Sequence, residues 1–205
     1  MKKSIISKIS IISVVVCVFL SCEKDSEIIF PPTGVPVDLG LSVKWASCNV
    51  GANSPEDYGD YFAWGEVIPK KNIFYYADYL YSDNPKILPL HADAAFANWG
   101  AYWRMPTDEE MTELRNNCTW TWTSQNGVNG YKVTSKSNGN SIFLPAAGFR
   151  DGSSLYSAGY HGCYWSSSLG TGNPGSAWYL YFNSSSVSRY NLSRYYELSV
   201  RPVCP

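Results

Sequence analysis

The chain has 205 residues, a length for one ordinary domain, with hydrophobic residues at 45% and charged residues at 16%. That balance excludes a disordered, highly charged tail protein, and a formal net charge of −1 leaves no basic footprint for nucleic acid. With 16 Tyr, 8 Trp and 16 Gly, the composition suits short strands and loops better than a helix bundle.

Residues 1–21 read as a targeting signal. A cationic start with Lys2, Lys3 and Lys8 leads into Ile9–Leu20, almost wholly apolar. That run has the length of a signal-peptide core and is too short to span a bilayer securely. It ends at Ser21-Cys22, and a small residue directly before Cys looks like a bacterial lipoprotein signal. The resemblance implies a thioether-linked diacylglycerol on Cys22 and cleavage before it; an ordinary signal peptide or an N-terminal anchor helix is the alternative. Without the signal, 13 basic residues face 17 acidic ones. Such signals resemble those of surface-exposed lipoproteins in Bacteroides-like bacteria, so the expected location is the outer membrane, lipid-anchored, at the cell surface. Several acyl chains would supply the anchoring. Residues 22–36 read as a tether, with Pro31, Pro32 and Pro36 blocking regular structure. Residues 37–205 form the single folded domain.

Within that domain, residues 37–47 have strand character, with Val43 and Trp45 on one parity. Ser54-Pro55-Glu56-Asp57 reads as a helix start, with Ser as cap, Pro at the first position and acids in the first turn, and Gly59 and Gly65 limit that helix to a turn or so. Tyr61–Trp64 reads as a strand, residues 68–92 as irregular, and Asp93–Trp99 as a short helix. The clearest helix covers residues 107–117. Thr107 and Glu110 fit a capping box, Asp108 and Glu109 suit the positive end of the dipole, and Met111 and Leu114 share one face. Beyond it the pattern is β. Trp120 and Trp122 alternate with threonines, Asn126-Gly127 and Asn129-Gly130 signal a turn, and Asn138-Gly139 signals another. Strands follow at Ser141–Leu144, Tyr164–Ser168, Ala177–Asn183 and Leu198–Val203. The order predicts an α+β fold with one sheet region, mostly short antiparallel strands.

Cys48, Cys118, Cys163 and Cys204 remain after the signal, in a compartment where disulfides persist. Four cysteines allow three pairings and the sequence does not choose among them. Cys48–Cys118 with Cys163–Cys204 is preferred, beside the alternative of free buried thiols.

Several phrases resemble the Fibrobacter succinogenes major paralogous domain family. They are Val43-Lys44-Trp45-Ala46, Cys48-Asn49-Val50-Gly51, Asp60 through Glu66 (DYFAWGE), Trp103 through Thr107 (WRMPT), Leu144 through Gly148 (LPAAG), Tyr164 through Ser168 (YWSSS) and Ser199 through Val203 (SVRPV). They run in order through residues 37–204. The resemblance implies a C-type-lectin-like fold, the one shared with formylglycine-generating enzymes, in which the termini lie together and long loops present a ligand surface. The region from Trp165 to Arg201 also resembles the variable C-terminus of proteins diversified by retroelements.

Side chains alternate along a strand. In Ala177–Asn183 one parity gives Trp178, Leu180 and Phe182, the expected buried face; the other gives Tyr179 and Tyr181, expected to point outward. Tyr179, Tyr181, Ser184, Ser186, Ser188, Tyr190, Asn191, Ser193, Tyr195 and Tyr196 are the candidate ligand-binding residues. Their composition is that of paratopes, in which Tyr supplies large, fairly rigid contact area and small polar residues adapt their hydrogen bonds. Randomising the adenines of Asn codons never yields Lys, Gln, Met, Glu or Trp. Lys, Gln, Met and Glu are absent from Leu169 to Tyr196. On this reading Tyr179→Ala with Tyr181→Ala removes binding and leaves stability unchanged, with Trp165, Trp178 and Phe182 holding the scaffold.

Other chemistries find less support. Asn173-Pro174-Gly175 lacks the carboxylate of a calcium-lectin loop. Cys163 and Cys204 do not sit in the formylglycine-generating motif. No G-x-S-x-G or H-E-x-x-H pattern occurs. Asp57, Asp60 and Glu66 cluster near aromatics but suit capping and turns. The expectation is a non-enzymatic surface lipoprotein, without metal or cofactor, that binds an extracellular protein or glycan. The alternatives are a glycan-active surface enzyme and a structural subunit of an envelope or fimbrial assembly.

Overall fold

The computed structural model describes residues 34–70 and 79–205. The expected signal at 1–21, the expected lipid-attachment residue Cys22 and the first part of the expected tether lie outside the described residues. The chain is α+β, mostly strand.

The strands form three sheets rather than the single region expected from sequence. The first joins β1 (Pro36–Val37), β2 (Lys44–Ala46) and β13 (Val203–Cys204), so both ends of the domain pair with the same strand. The expected strand at 37–47 is therefore two short ones. They are separated by a bend in which Gly40 has φ +64° and its amide donates to Asp38 Oδ1 at 2.7 Å. The second sheet is β4 (Cys118–Gln125), β5 (Val128–Ser135) and β6 (Ser141–Pro145), in that order. Asn126 and Gly127, both at positive φ, make the two-residue turn between β4 and β5. Asn129-Gly130, expected in that turn, is inside β5. A side chain at Gly130 would meet the Leu144 carbonyl oxygen at 2.3 Å, so glycine there serves close strand approach.

The third sheet has seven strands. Its main path runs β11 (Ser186–Ser193), β10 (Ser176–Asn183), β9 (Gly162–Leu169), β12 (Glu197–Ser199), β7 (Phe149–Asp151) and β8 (Ser154–Tyr156), with β3 (Tyr61–Ala63) pairing to β12. Most pairs are antiparallel; β9 and β12 are parallel. Helix α1 (Ala94–Trp99) is capped by the Asp93 carboxylate, which accepts from the Ala95 and Phe96 amides. Helix α2 (Asp108–Asn117) has the expected capping box between Thr107 and Glu110. The Ser54-Pro55-Glu56-Asp57 segment is a turn and not a helix. The Asp57 carboxylate reaches back to the Asn53 and Ser54 amides, and Gly59 follows at φ +73°.

The sheet around β9 and β10 is packed on both faces. One face carries Tyr164, Leu180 and Phe182 into a core with Met111, Leu114, Val133 and Leu144. The other carries Cys163, Trp165 and Ala177 into a second core with Trp64, Trp99, Trp103 and Val200. This explains why β9 is nearly all buried. Its serines are satisfied locally: Ser166 donates to the Trp178 carbonyl, and Ser168 Oγ accepts from the Asp108 amide. The Phe182 ring lies where a side chain at Gly162 would be, against Tyr131, Tyr164 and Trp120.

Two expectations fail here. Cys48, Cys118, Cys163 and Cys204 are free, buried thiols, so neither Cys48–Cys118 nor Cys163–Cys204 forms. Cys118 belongs to one core and Cys48, Cys163 and Cys204 to the other; a core of this size stands without staples. Burial pushes the Cys163 thiol up to about 12, which leaves it unreactive. Trp178, expected in the core, is half-buried. It lies at a register shift between Ala177 and Tyr179, where its ring is covered by the Arg189 guanidinium at 5.3 Å rather than by core residues.

Candidate functional site

The β10–β11 hairpin builds the candidate site. Its turn is closed by Asn183, whose side-chain oxygen accepts from the Ser185 amide at 2.9 Å and the Ser186 amide at 3.0 Å. This fixes the register: Tyr179 pairs with Tyr190, and Tyr181 with Ser188. Because paired residues share a face, Tyr179, Tyr181, Ser186, Ser188 and Tyr190 come together on one side of the hairpin.

The rings form a connected cluster. Tyr181 and Tyr190 have centroids 5.8 Å apart, Tyr179 and Tyr190 6.4 Å, and Tyr179 and Tyr181 6.5 Å. His161 adds an edge contact to Tyr181 at 5.3 Å. The Tyr181 hydroxyl accepts from Asn183 Nδ2 at 3.2 Å. Tyr190 is 51% exposed, on the edge strand, and Tyr160, beside His161 in sequence, is 73% exposed. Tyr179 is half-buried and stands edge-on to the fully buried Trp165 at 6.0 Å. Burial raises its hydroxyl well above the ordinary phenol range, so it stays neutral.

The other candidates go elsewhere. Asn191 pairs with Trp178 and Ser193 with Ser176, which puts both on the opposite face from Tyr190. Ser184 is exposed in the hairpin turn, and the Ser186 hydroxyl, on the tyrosine face, lies 3.2 Å from Asn183 Oδ1. Tyr195 and Tyr196 lie past β11, stacked on each other at 4.4 Å, with Tyr196 edge-on to Phe149. Sequence reasoning missed His161, which arrives from the segment before β9 and has no local signature.

A domain of unknown function, DUF8237, matches residues 120–203. The match takes in the whole β10–β11 hairpin and covers less than half of the chain. No curated protein and no solved structure matches.

The acidic cluster near the aromatics is engaged in local structure. Asp57 closes its turn, and Glu66 pairs with Lys70 at 2.7 Å while accepting from the Leu80 amide at 3.0 Å. A cavity of about 320 Å³ beside it is lined by Asp60, Tyr61, Lys70 and Arg150. The hairpin face, in contrast, offers neutral rings, hydroxyls and one imidazole. Such a surface suits binding through aromatic area and hydrogen bonds better than acid–base chemistry.

Proposed function

We propose that this chain is a cell-surface lipoprotein whose C-type-lectin-like domain binds an extracellular protein or glycan through the Tyr179–Tyr181–Tyr190 face. The observation that carries the reading is the ring cluster itself. Three tyrosines share one face of an edge hairpin, held from beneath by Trp165, with the outermost ring half open to solvent. Pre-positioned aromatic anchors reduce the ordering cost of binding. The Ser/Tyr/Asn composition of the hairpin supports diversification by a retroelement as the origin of that face. The pairing of both domain ends with β2 agrees with a domain presented on a tether, and Cys22 carries the lipid.

The test is an array of glycans and cell-surface proteins probed with the purified full-length chain. Tyr190→Ala and Tyr181→Phe are the informative variants, because Tyr190 is exposed and Tyr181→Phe keeps the ring. Tyr179→Ala is unsuitable: losing its packing on Trp165 costs about 1 kcal/mol or more, contrary to the expectation of unchanged stability. Tyr190→Ala should weaken capture at least tenfold with an unchanged melting temperature. Full capture by both variants would remove the face from consideration.

The enzyme alternative draws on Glu197, a buried carboxyl with Glu66 and Lys70 nearby. Glu197 does not line the adjacent cavity, so the binding reading is preferred.

A further inference from the structure

Tyr195 belongs to a different place from the hairpin tyrosines. A cavity of about 370 Å³ is lined by Tyr79, Tyr81, Ser82, Asn84, Arg194 and Tyr195, among others. Small-molecule sites span roughly 300–1,000 Å³.

Arg194 is the unusual member. It is only 6% exposed, yet among the described residues it forms no ion pair. The other arginines of the interior have a carboxylate or a set of oxygen acceptors. Arg104 pairs with Glu110, Arg189 pairs with Asp108, and Arg201 has three oxygen acceptors. Arg194 lies against ring faces instead, its guanidinium carbon 5.2 Å from the Trp64 centroid, 5.6 Å from Tyr79 and 5.9 Å from Tyr81. It donates to the carbonyls of Asp83 at 2.7 Å and Tyr81 at 3.4 Å. Among the described residues, its Nε and the Tyr81 hydroxyl have no hydrogen-bond partner. The Asp83 carboxylate acts on the Tyr81 hydroxyl but makes no ion pair with Arg194. Aromatic faces and carbonyl dipoles offset part of the cost of burying a cation; a counter-charge would offset more.

The walls add a second chemistry. Tyrosine rings accept the apolar C–H face of a sugar ring, and Ser82 and Asn84 offer hydrogen bonds to its hydroxyl edge. We propose that this cavity is a saccharide subsite for an acidic sugar, whose ring packs against the tyrosine walls and whose carboxylate answers the charge of Arg194. It is separate from the Tyr179–Tyr181–Tyr190 face and does not depend on it.

The test titrates the full-length chain in detergent with galacturonic, glucuronic and N-acetylneuraminic acids. Neutral galactose and glucose and inorganic sulfate serve as comparisons. Saturation-transfer NMR and tryptophan fluorescence report binding, since Trp64 lies under Arg194. At least one acidic sugar should bind tenfold or more tightly than the neutral sugars and sulfate, and should weaken with added salt. Tyr195→Ala should reduce that affinity at least tenfold when measured well below the variant's own melting temperature, and Tyr190→Ala should leave it alone. The proposal is overturned by no acidic-sugar binding, by equal binding of neutral sugars, by sulfate binding as tightly, or by full affinity in Tyr195→Ala. Loss in Tyr190→Ala alone would assign the sugar to the hairpin and overturn it too. None of these results alters the expected effect of Tyr190→Ala on array capture.

Discussion

Glu197 carries a carboxylate that folding makes harder to ionise. It is 1% exposed and one oxygen has no partner, so burial pushes its pKa up to about 7. Arg150 and Lys70 oppose the shift and Glu66 adds to it. The folded state therefore holds this proton more tightly than the unfolded chain does. Stability is highest below the ordinary glutamate pKa, falls as pH rises through the window up to about 7, and stays lowered above it. The full difference is on the order of 3 kcal/mol. Glu197→Gln removes the titration, so it should melt roughly 5 °C or more above the parent at pH 8. At pH 4.5 that gap should largely close. Parallel melting curves across the range would show that Glu197 does not set the pH response. Nothing near Glu197 in the sequence foretells this burial. It follows from β12 lying among β9, β3 and β7, pairings that reach residues far away along the chain.

At the scale of elements, α2 rests on few side chains. Glu110 accepts from the Thr107 amide at 2.8 Å and also pairs with Arg104, while Thr107 Oγ1 accepts from the Glu110 amide. Thr107→Ala should cost about 1 kcal/mol in urea unfolding. Glu110→Ala should cost more, because it also leaves Arg104 without its carboxylate; equal costs would mean that the pair contributes nothing. This helix was legible because every part of its signal lies within a few residues. So was the Asn126-Gly127 turn. The Ser54-Pro55 start misled because its signals are local and genuine, with Asp57 reaching back to the Ser54 amide as a capping residue does, while Gly59 at φ +73° turns the chain away before a helix can propagate. Parity along β10 placed Leu180 and Phe182 correctly and Trp178 wrongly, and Tyr179 and Tyr181, expected to point outward, are half-buried against the core around Trp165, since alternation says which side a residue faces and not what covers that side. The same rule, applied to β11 with its register, would have separated Tyr190 from Asn191 and Ser193. The register depends on Asn183 closing the turn, and composition alone does not show that.

The whole molecule is held by packing and by the fully buried guanidinium of Arg201. With four free thiols in two cores, a reductant should leave the melting temperature unchanged, and alkylation of the denatured, unreduced domain should modify all four. A drop on adding reductant would mean that the cysteines pair in solution. The polar tie is Arg201, fully buried between β12 and β13. Its Nε donates to Asn49 Oδ1 at 2.8 Å, Nη1 to the Ala46 carbonyl at 3.0 Å and Nη2 to the Phe143 carbonyl at 2.9 Å. Ala46 is in the sheet that joins the domain's ends, and Phe143 is in the β4–β5–β6 sheet. One side chain between β12 and β13 therefore ties the first sheet to the β4–β5–β6 sheet. Desolvation lowers its pKa, yet the planar fork reaches acceptors that a lysine ammonium cannot span together. Arg201→Lys keeps the charge and orphans at least one buried acceptor, which should cost about 1–3 kcal/mol. For a chain of this size that is a fall of roughly 2–12 °C in melting temperature. The loss should appear as one cooperative transition, because the link joins two sheets across the core. A variant melting within experimental error of the parent would show that the sheets hold together without it.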